Sequence, residues 1–126
     1  LIRLQFTDSQ IKIMIKQLAS KDIKEYLKTE SNRVLLDVRT KEEWDRFGKP
    51  DGEKLGLKTY FLTIKDENFV QEFKNLSISQ DYEILSICKS GERSQFVAEL
   101  LTKENYNCVN ISDGFDGWEI CNLPRS

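Results

Sequence analysis

The chain contains no histidine. A cysteine–histidine pair and any zinc site that uses imidazole are therefore excluded, so a reactive side chain here would have to be activated by backbone dipoles and cations. Its three cysteines, Cys88, Cys108 and Cys121, are an odd number with no close pair, which speaks against a disulfide framework and against a Cys-x-x-Cys metal site. Neither a metal nor a cofactor is expected. No stretch approaches the ~18 consecutive apolar residues of a membrane-spanning helix, and no basic start followed by an apolar run reads as a signal peptide. A cytoplasmic protein with no membrane partner is the expectation. Net charge is also scarce: 19 Lys and Arg against 21 Asp and Glu leave −2, too little field to predict a nucleic-acid partner.

What is present is enough for one folded domain. The 126 residues are 39% hydrophobic and 32% charged, and a chain of this length can bury one substantial core. Ile2, Leu4 and Phe6, then Ile11, Ile13 and Ile15, fall at alternate positions on either side of Thr7-Asp8-Ser9-Gln10. That alternation predicts two extended segments about a turn, and residues 1–13 are set apart as an N-terminal extension or extra strand, with the domain proper over 14–126. Ser20 is placed as the N-cap of a helix carrying Ile23, Tyr26 and Leu27 on one face. The apolar run Arg33 to Arg39 reads as a central strand. Thr40 and Glu43 then have the spacing of a capping box, in which hydroxyl and carboxylate satisfy the first helical amides reciprocally.

Further on, 60–64 is a strand candidate, and Asp66 is the expected cap of a helix facing inward with Phe69, Val70, Phe73 and Leu76. The run Tyr82 to Ile87 reads as a buried strand, and Cys108 to Ile111 as the last one, reached through Asn105, which tolerates the left-handed conformation of a helix stop. Strands alternating with helices imply an α/β fold, a parallel sheet with helices on both faces.

The chemistry concentrates in Cys88-Lys89-Ser90-Gly91-Glu92-Arg93-Ser94. The preceding strand delivers Cys88 to the carboxyl edge of the sheet, where open α/β folds place their sites. Phe96, Val97, Leu100 and Leu101 give the following helix an apolar stripe beginning near Glu92, so its first turn lies beside the sulfur. Unpartnered amides and the helix dipole favour an anion there, and Gly91 permits the positive φ that wrapping a loop around an anion requires. A free cysteine has a pKa near ~8.5, and a helix N-terminus with cations such as Lys89 and Arg93 lowers that value. The expectation is a nucleophilic Cys88 in a cradle of the Lys89 to Ser94 amides, with its sulfur reachable from solvent.

At these residues the chain resembles the rhodanese family of sulfurtransferases, whose active loop reads Cys-x-x-Gly-x-Arg-Ser and matches Cys88, Gly91, Arg93 and Ser94. Asp37 and Arg39 match the family's Asp-x-Arg, and Glu43-Trp44 its Glu-aromatic pair. Gly114 and Trp118 match its closing Gly-Gly-x-x-x-Trp, with Asp113 in place of the first Gly. Gly48-Lys49-Pro50-Asp51-Gly52-Glu53 departs from the commoner Gly-His-Ile-Pro-Gly-Ala and places the pocket rim in question. The resemblance implies a rhodanese-like sheet of about five strands flanked by helices on both faces.

It also implies a single-domain sulfurtransferase. The Cys88 thiolate would take the outer sulfur of a donor such as thiosulfate, hold it as a persulfide among residues 89–94, and pass it to a thiol or protein acceptor. Asp37 is expected to hold a loop cation such as Arg93, with Arg39 on Glu43 or the rim. Trp44, Phe47 and Tyr60 are candidates for an apolar wall, core packing being the plainer role of Trp44 and Tyr60. Cys108 and Cys121 read as structural. The competing readings are a rhodanese-like binding module without catalysis, and a cysteine phosphatase or arsenate reductase. The last is disfavoured because those loops place Arg six residues after the cysteine, and here that position is Ser94.

Overall fold

The computed structural model describes residues 5–126. Five strands, β1 (Lys16–Leu18), β2 (Arg33–Asp37), β3 (Lys58–Phe61), β4 (Glu83–Ile87) and β5 (Asn107–Ile111), form one parallel sheet in the order β1-β5-β4-β2-β3. Six helices accompany them: α1 (Asp8–Met14), α2 (Ile23–Tyr26), α3 (Lys41–Phe47), α4 (Phe69–Lys74), α5 (Glu92–Lys103) and α6 (Gly114–Ile120). None is long and apolar enough to cross a membrane.

Both faces of the sheet are covered, so the interiors of its central strands are mostly apolar, with Asp37 and Ser86 the buried polar residues among them. Val34, Leu36, Val38, Ile84 and Cys88 point to one face, where α1, α4 and α5 add Ile11, Phe69, Phe73, Val97, Ala98 and Leu101. Leu35, Leu85 and Ile87 point to the other, against Ile23, Phe115 and Trp118 of α2 and α6. From β2 the chain moves outward to β3, and from β4 it moves the opposite way to β5. The strand order therefore reverses between β2 and β4, and a crevice opens at their carboxyl ends with α3 and α5 on either side.

The amino-terminal segment differs from the alternating pattern expected of it. Thr7 and Gln10 form a capping box, and the helix they start buries Ile11, with Ile15 buried just past its end, while leaving Ile13 84% exposed. The four-residue spacing of Ile11 and Ile15 thus decides the structure, because a cap satisfies helical amides that a turn would have left open. Ile2 and Leu4 lie outside the described residues. Ser20 does not cap a helix through its side chain. It sits within a short 3₁₀ turn, and its amide and hydroxyl donate to Asp113 at 3.0 and 2.8 Å, tying α2 to the start of α6. Asp66 likewise accepts from the Asn68 amide, and Asn68, not Asp66, holds the N-cap position of α4.

Candidate active site

Cys88 follows the last residue of β4, and the chain turns through Lys89, Ser90 and Gly91 directly into α5. Gly91 has φ +105°, and a Cβ there would sit 2.2 Å from the Ser112 carbonyl oxygen. The turn places the Gly91 amide 3.1 Å and the Ser94 hydroxyl 3.2 Å from Cys88 Sγ, both as donors. Glu92, Arg93 and Ser94 supply the first turn of α5, whose amides have no carbonyl to meet within the helix.

The back of the loop is held by α6. The amides of Phe115 and Asp116 donate to the carbonyls of Cys88 and Lys89 at 2.8 and 3.0 Å. Gly114, at φ +59°, lets the helix start this close, since a Cβ there would lie 2.5 Å from the Lys89 carbonyl.

The charges partner differently from the sequence expectation. Arg93 does not meet Asp37. Its guanidinium makes a two-pronged pair with Glu43 at 2.6 and 2.8 Å, joining the first turns of α5 and α3 across the crevice. Arg39 does not meet Glu43. It binds Asp37 through Nε, at 3.1 Å to both oxygens, and through Nη2 at 2.8 Å. The reason is strand periodicity: Asp37 shares a face with Leu35, opposite Cys88 and α5, and Arg39 lies beneath it with its guanidinium 4.2 Å over the Phe115 ring. Asp37 and Arg39 are both fully buried.

Among the expected substrate residues, Gly91 and Ser94 reach the sulfur. Ser90 and Glu92 carry exposed side chains, and Lys89 pairs with Asp116 while lying over the Phe47 ring. Trp44, Phe47 and Tyr60 do not form one wall. Trp44 packs edge-on against Phe61, and Phe47 and Tyr60 pack into cores on opposite faces of the sheet. Cys88 is 1% exposed, a sulfur far more covered than an open cradle predicts. Burial pushes the Cys108 thiol up to about 12, which suits a packing residue rather than a relay.

Asn110 of β5 was not anticipated. It is 2% exposed, accepts from the Ser94 hydroxyl at 2.7 Å, and donates to the Gly91 carbonyl at 3.1 Å. The one signal was a polar residue at an inward position of an otherwise apolar strand.

The Arg93 guanidinium holds the Glu43 carboxyl down at about 2, burial opposing and the Thr40 amide assisting. A depressed folded-state value means stability that is present above the ordinary carboxylate range and lost as pH falls toward 2. Because Arg93 is 41% exposed, solvent screening reduces this to about 1 kcal/mol. Glu43→Gln is expected to flatten the unfolding free energy between pH 5 and pH 2 relative to the parent. Denaturant titrations at each pH measure it, and an unchanged slope would remove the pair from the stability account.

Relatives agree with this architecture. The chain is 34% identical over 121 residues to "Uncharacterized protein RP600" of Rickettsia prowazekii, covering 89% of this chain and 98% of that protein. It is 27% identical over 112 residues to "Putative sulfurtransferase YtwF" of Bacillus subtilis, covering 89% and 98%. The crystal structure of Rv0390 from M. tuberculosis superposes with a TM-score of 0.73 at 25% identity, covering 88% of this chain and 96% of that one. The sequence model of the Rhodanese-like domain matches residues 19–121, a span that begins before β2 and closes after α6, and the chain belongs to that family.

Proposed function

We propose that the protein is a sulfurtransferase that carries sulfane sulfur on Cys88. The observation that supports it best is the pairing of a strand-end cysteine with two donors, the Gly91 amide and the Ser94 hydroxyl, in a loop whose arginine comes at Cys-x₄-Arg. The Cys88 thiolate attacks the outer sulfur of a thiosulfate-like donor, the donor's S–S bond breaks, and sulfite leaves with the bonding electrons. The negative charge then lies on the outer sulfur of a persulfide, within reach of the first amides of α5. A thiol, a protein cysteine or cyanide attacks that sulfur and returns the thiolate. Lys89 and Arg93 attract the anionic donor, while Asp37 and Arg39 hold the end of β2, the strand paired with β4, from which the loop springs. Domain limits of 14–126 belong to this proposal, with 1–13 as an extension that is continuous with the domain, since α1 crosses residue 13 and puts Ile11 in the core.

A second reading, a binding module that carries no sulfur, is favoured by one observation, the 1% exposure of Cys88. Thiosulfate reaches Sγ only if the atoms that cover it move. Incubation with thiosulfate, followed by peptide mass measurement, separates the two. A gain of one sulfur on the Cys88 peptide, with Cys108 and Cys121 unchanged, is expected. No gain at Cys88, with or without a gain elsewhere, overturns the proposal, and hydrolysis of an aryl phosphate without sulfur uptake would move the protein to the phosphatases.

A further inference from the structure

The Ser94 hydroxyl has one proton and two acceptors. Asn110 Oδ1 lies 2.7 Å away and Cys88 Sγ 3.2 Å. The orientation of the Asn110 amide follows from its other neighbour, because the Gly91 carbonyl can only accept and therefore requires Nδ2 at 3.1 Å. The second Nδ2 hydrogen goes to Gln17 Oε1 at 2.9 Å. Oδ1 is thus left to compete with the sulfur for the Ser94 proton.

We infer that Asn110 is a positioning residue that acts on Cys88 through a rotating Ser94 hydroxyl. When Sγ is uncharged, Ser94 donates to Asn110, and a thiol S–H can donate to Ser94 in turn. When Sγ is a thiolate, the charge-assisted bond is the stronger one, and the hydroxyl swings to sulfur. Asn110 Oδ1, buried on β5, then loses its donor, which costs free energy in the anionic state alone. Asn110 therefore disfavours charge on Sγ.

Resting on the function proposed above, this has a direct consequence. In a persulfide the charge sits on the outer sulfur and Sγ is neutral, so Ser94 returns to Asn110. The competition for one proton favours the sulfur-loaded protein over the empty thiolate.

Of the other charged groups around Sγ, Glu92 in the first turn of α5 is exposed to solvent and the rest are paired. Arg93 of α5 is paired with Glu43 of α3, Lys89 with Asp116 of α6, and Asp37 with Arg39 at the end of β2. From β5 and β1 only the neutral Asn110 and Gln17 enter this network.

Asn110→Leu keeps the branched shape of the side chain and removes the acceptor along with the Nδ2 donors. The Gly91 carbonyl still accepts from the Gln95 amide at 3.2 Å, so the loop keeps an anchor. Titrating the ultraviolet absorbance of the thiolate, with the Cys88→Ser protein subtracted to remove Cys108 and Cys121, reads the effect. The Cys88 midpoint is expected to fall by about one pH unit, the size of one hydrogen bond. Ser94→Ala is expected to raise the midpoint, and adding Asn110→Leu to it to change nothing more. No fall, a rise, or an equal fall without Ser94 would each overturn the inference.

A measurement on the unaltered protein covers the case in which Asn110→Leu does not fold. The carbon-13 shift of the Asn110 side-chain carbonyl is expected to move with the Cys88 titration, and to stay flat in Cys88→Ser. A shift that does not move with Cys88 overturns the inference. None of these readouts uses a sulfur donor, so they fail separately from the sulfurtransferase reading.

Discussion

Asp37→Ala is expected to lower the unfolding free energy by about 3–5 kcal/mol, the usual result of removing one partner of a buried ion pair. Asp37 takes the Arg39 amide, both Nε contacts and Nη2. Without it, a fully buried guanidinium keeps only the Gly48 carbonyl at 3.0 Å and the Phe115 ring as partners. Against a typical domain stability of about 5–15 kcal/mol, that loss is about a fifth of the whole or more. Asp37→Asn keeps one accepting oxygen and should cost less. Replacing both residues, Asp37→Leu with Arg39→Met, removes the stranded charge and should recover most of the loss. Denaturant midpoints at constant m-value measure all three. If Asp37→Ala and the double replacement proved equally unstable, the deficit would belong to packing and not to the pair.

Gly91→Ala is expected to abolish sulfur uptake at Cys88. Its added Cβ would lie 2.2 Å from the Ser112 carbonyl, a backbone atom at the end of β5 that cannot rotate away, and φ +105° is itself unfavourable for any side chain. The smallest relief is to move residue 91 outward, which withdraws its amide from Sγ. The strained conformation alone costs on the order of 1–3 kcal/mol, and the clash adds to it, so the variant should also unfold at lower denaturant. Mass measurement after thiosulfate treatment, beside a denaturation curve, distinguishes the effects. A folded Gly91→Ala that gains sulfur at the parent's rate would show that this amide is not needed.

Much of the site was legible because short-range chemistry dictates it. The apolar stripe after Cys88 placed the start of α5 at Glu92, the Thr40 and Glu43 spacing built the cap of α3, and Asn105 takes φ 67° after α5. The Trp118 indole N–H donates to the Pro124 carbonyl, the polar partner its burial demands. What could not be read were partnerships across the sheet. Asp37, Arg39, Glu43 and Arg93 form two ion pairs, and choosing which two requires knowing the face on which each side chain emerges. Register gives it: Asp37 pairs with Ile87, whose side chain belongs to the core opposite Cys88. Asn110 was missed for a related reason, since its neighbours arrive from two distant stretches, Gln17 from β1 and Gly91 and Ser94 from the start of α5. The alternating isoleucines near the start misled because two periodicities coexist there, and the capping box selects the helical one.

The contact between α6 and the back of the loop has a consequence for direction. A trans peptide sets its N–H opposite its C=O. By taking the carbonyls of Cys88 and Lys89, the amides of Phe115 and Asp116 oblige the next two N–H groups, those of Lys89 and Ser90, to face away from α6. The electropositive lining of the loop is thereby oriented from behind, by a segment some two dozen residues downstream on the far side of the loop from the amides it directs.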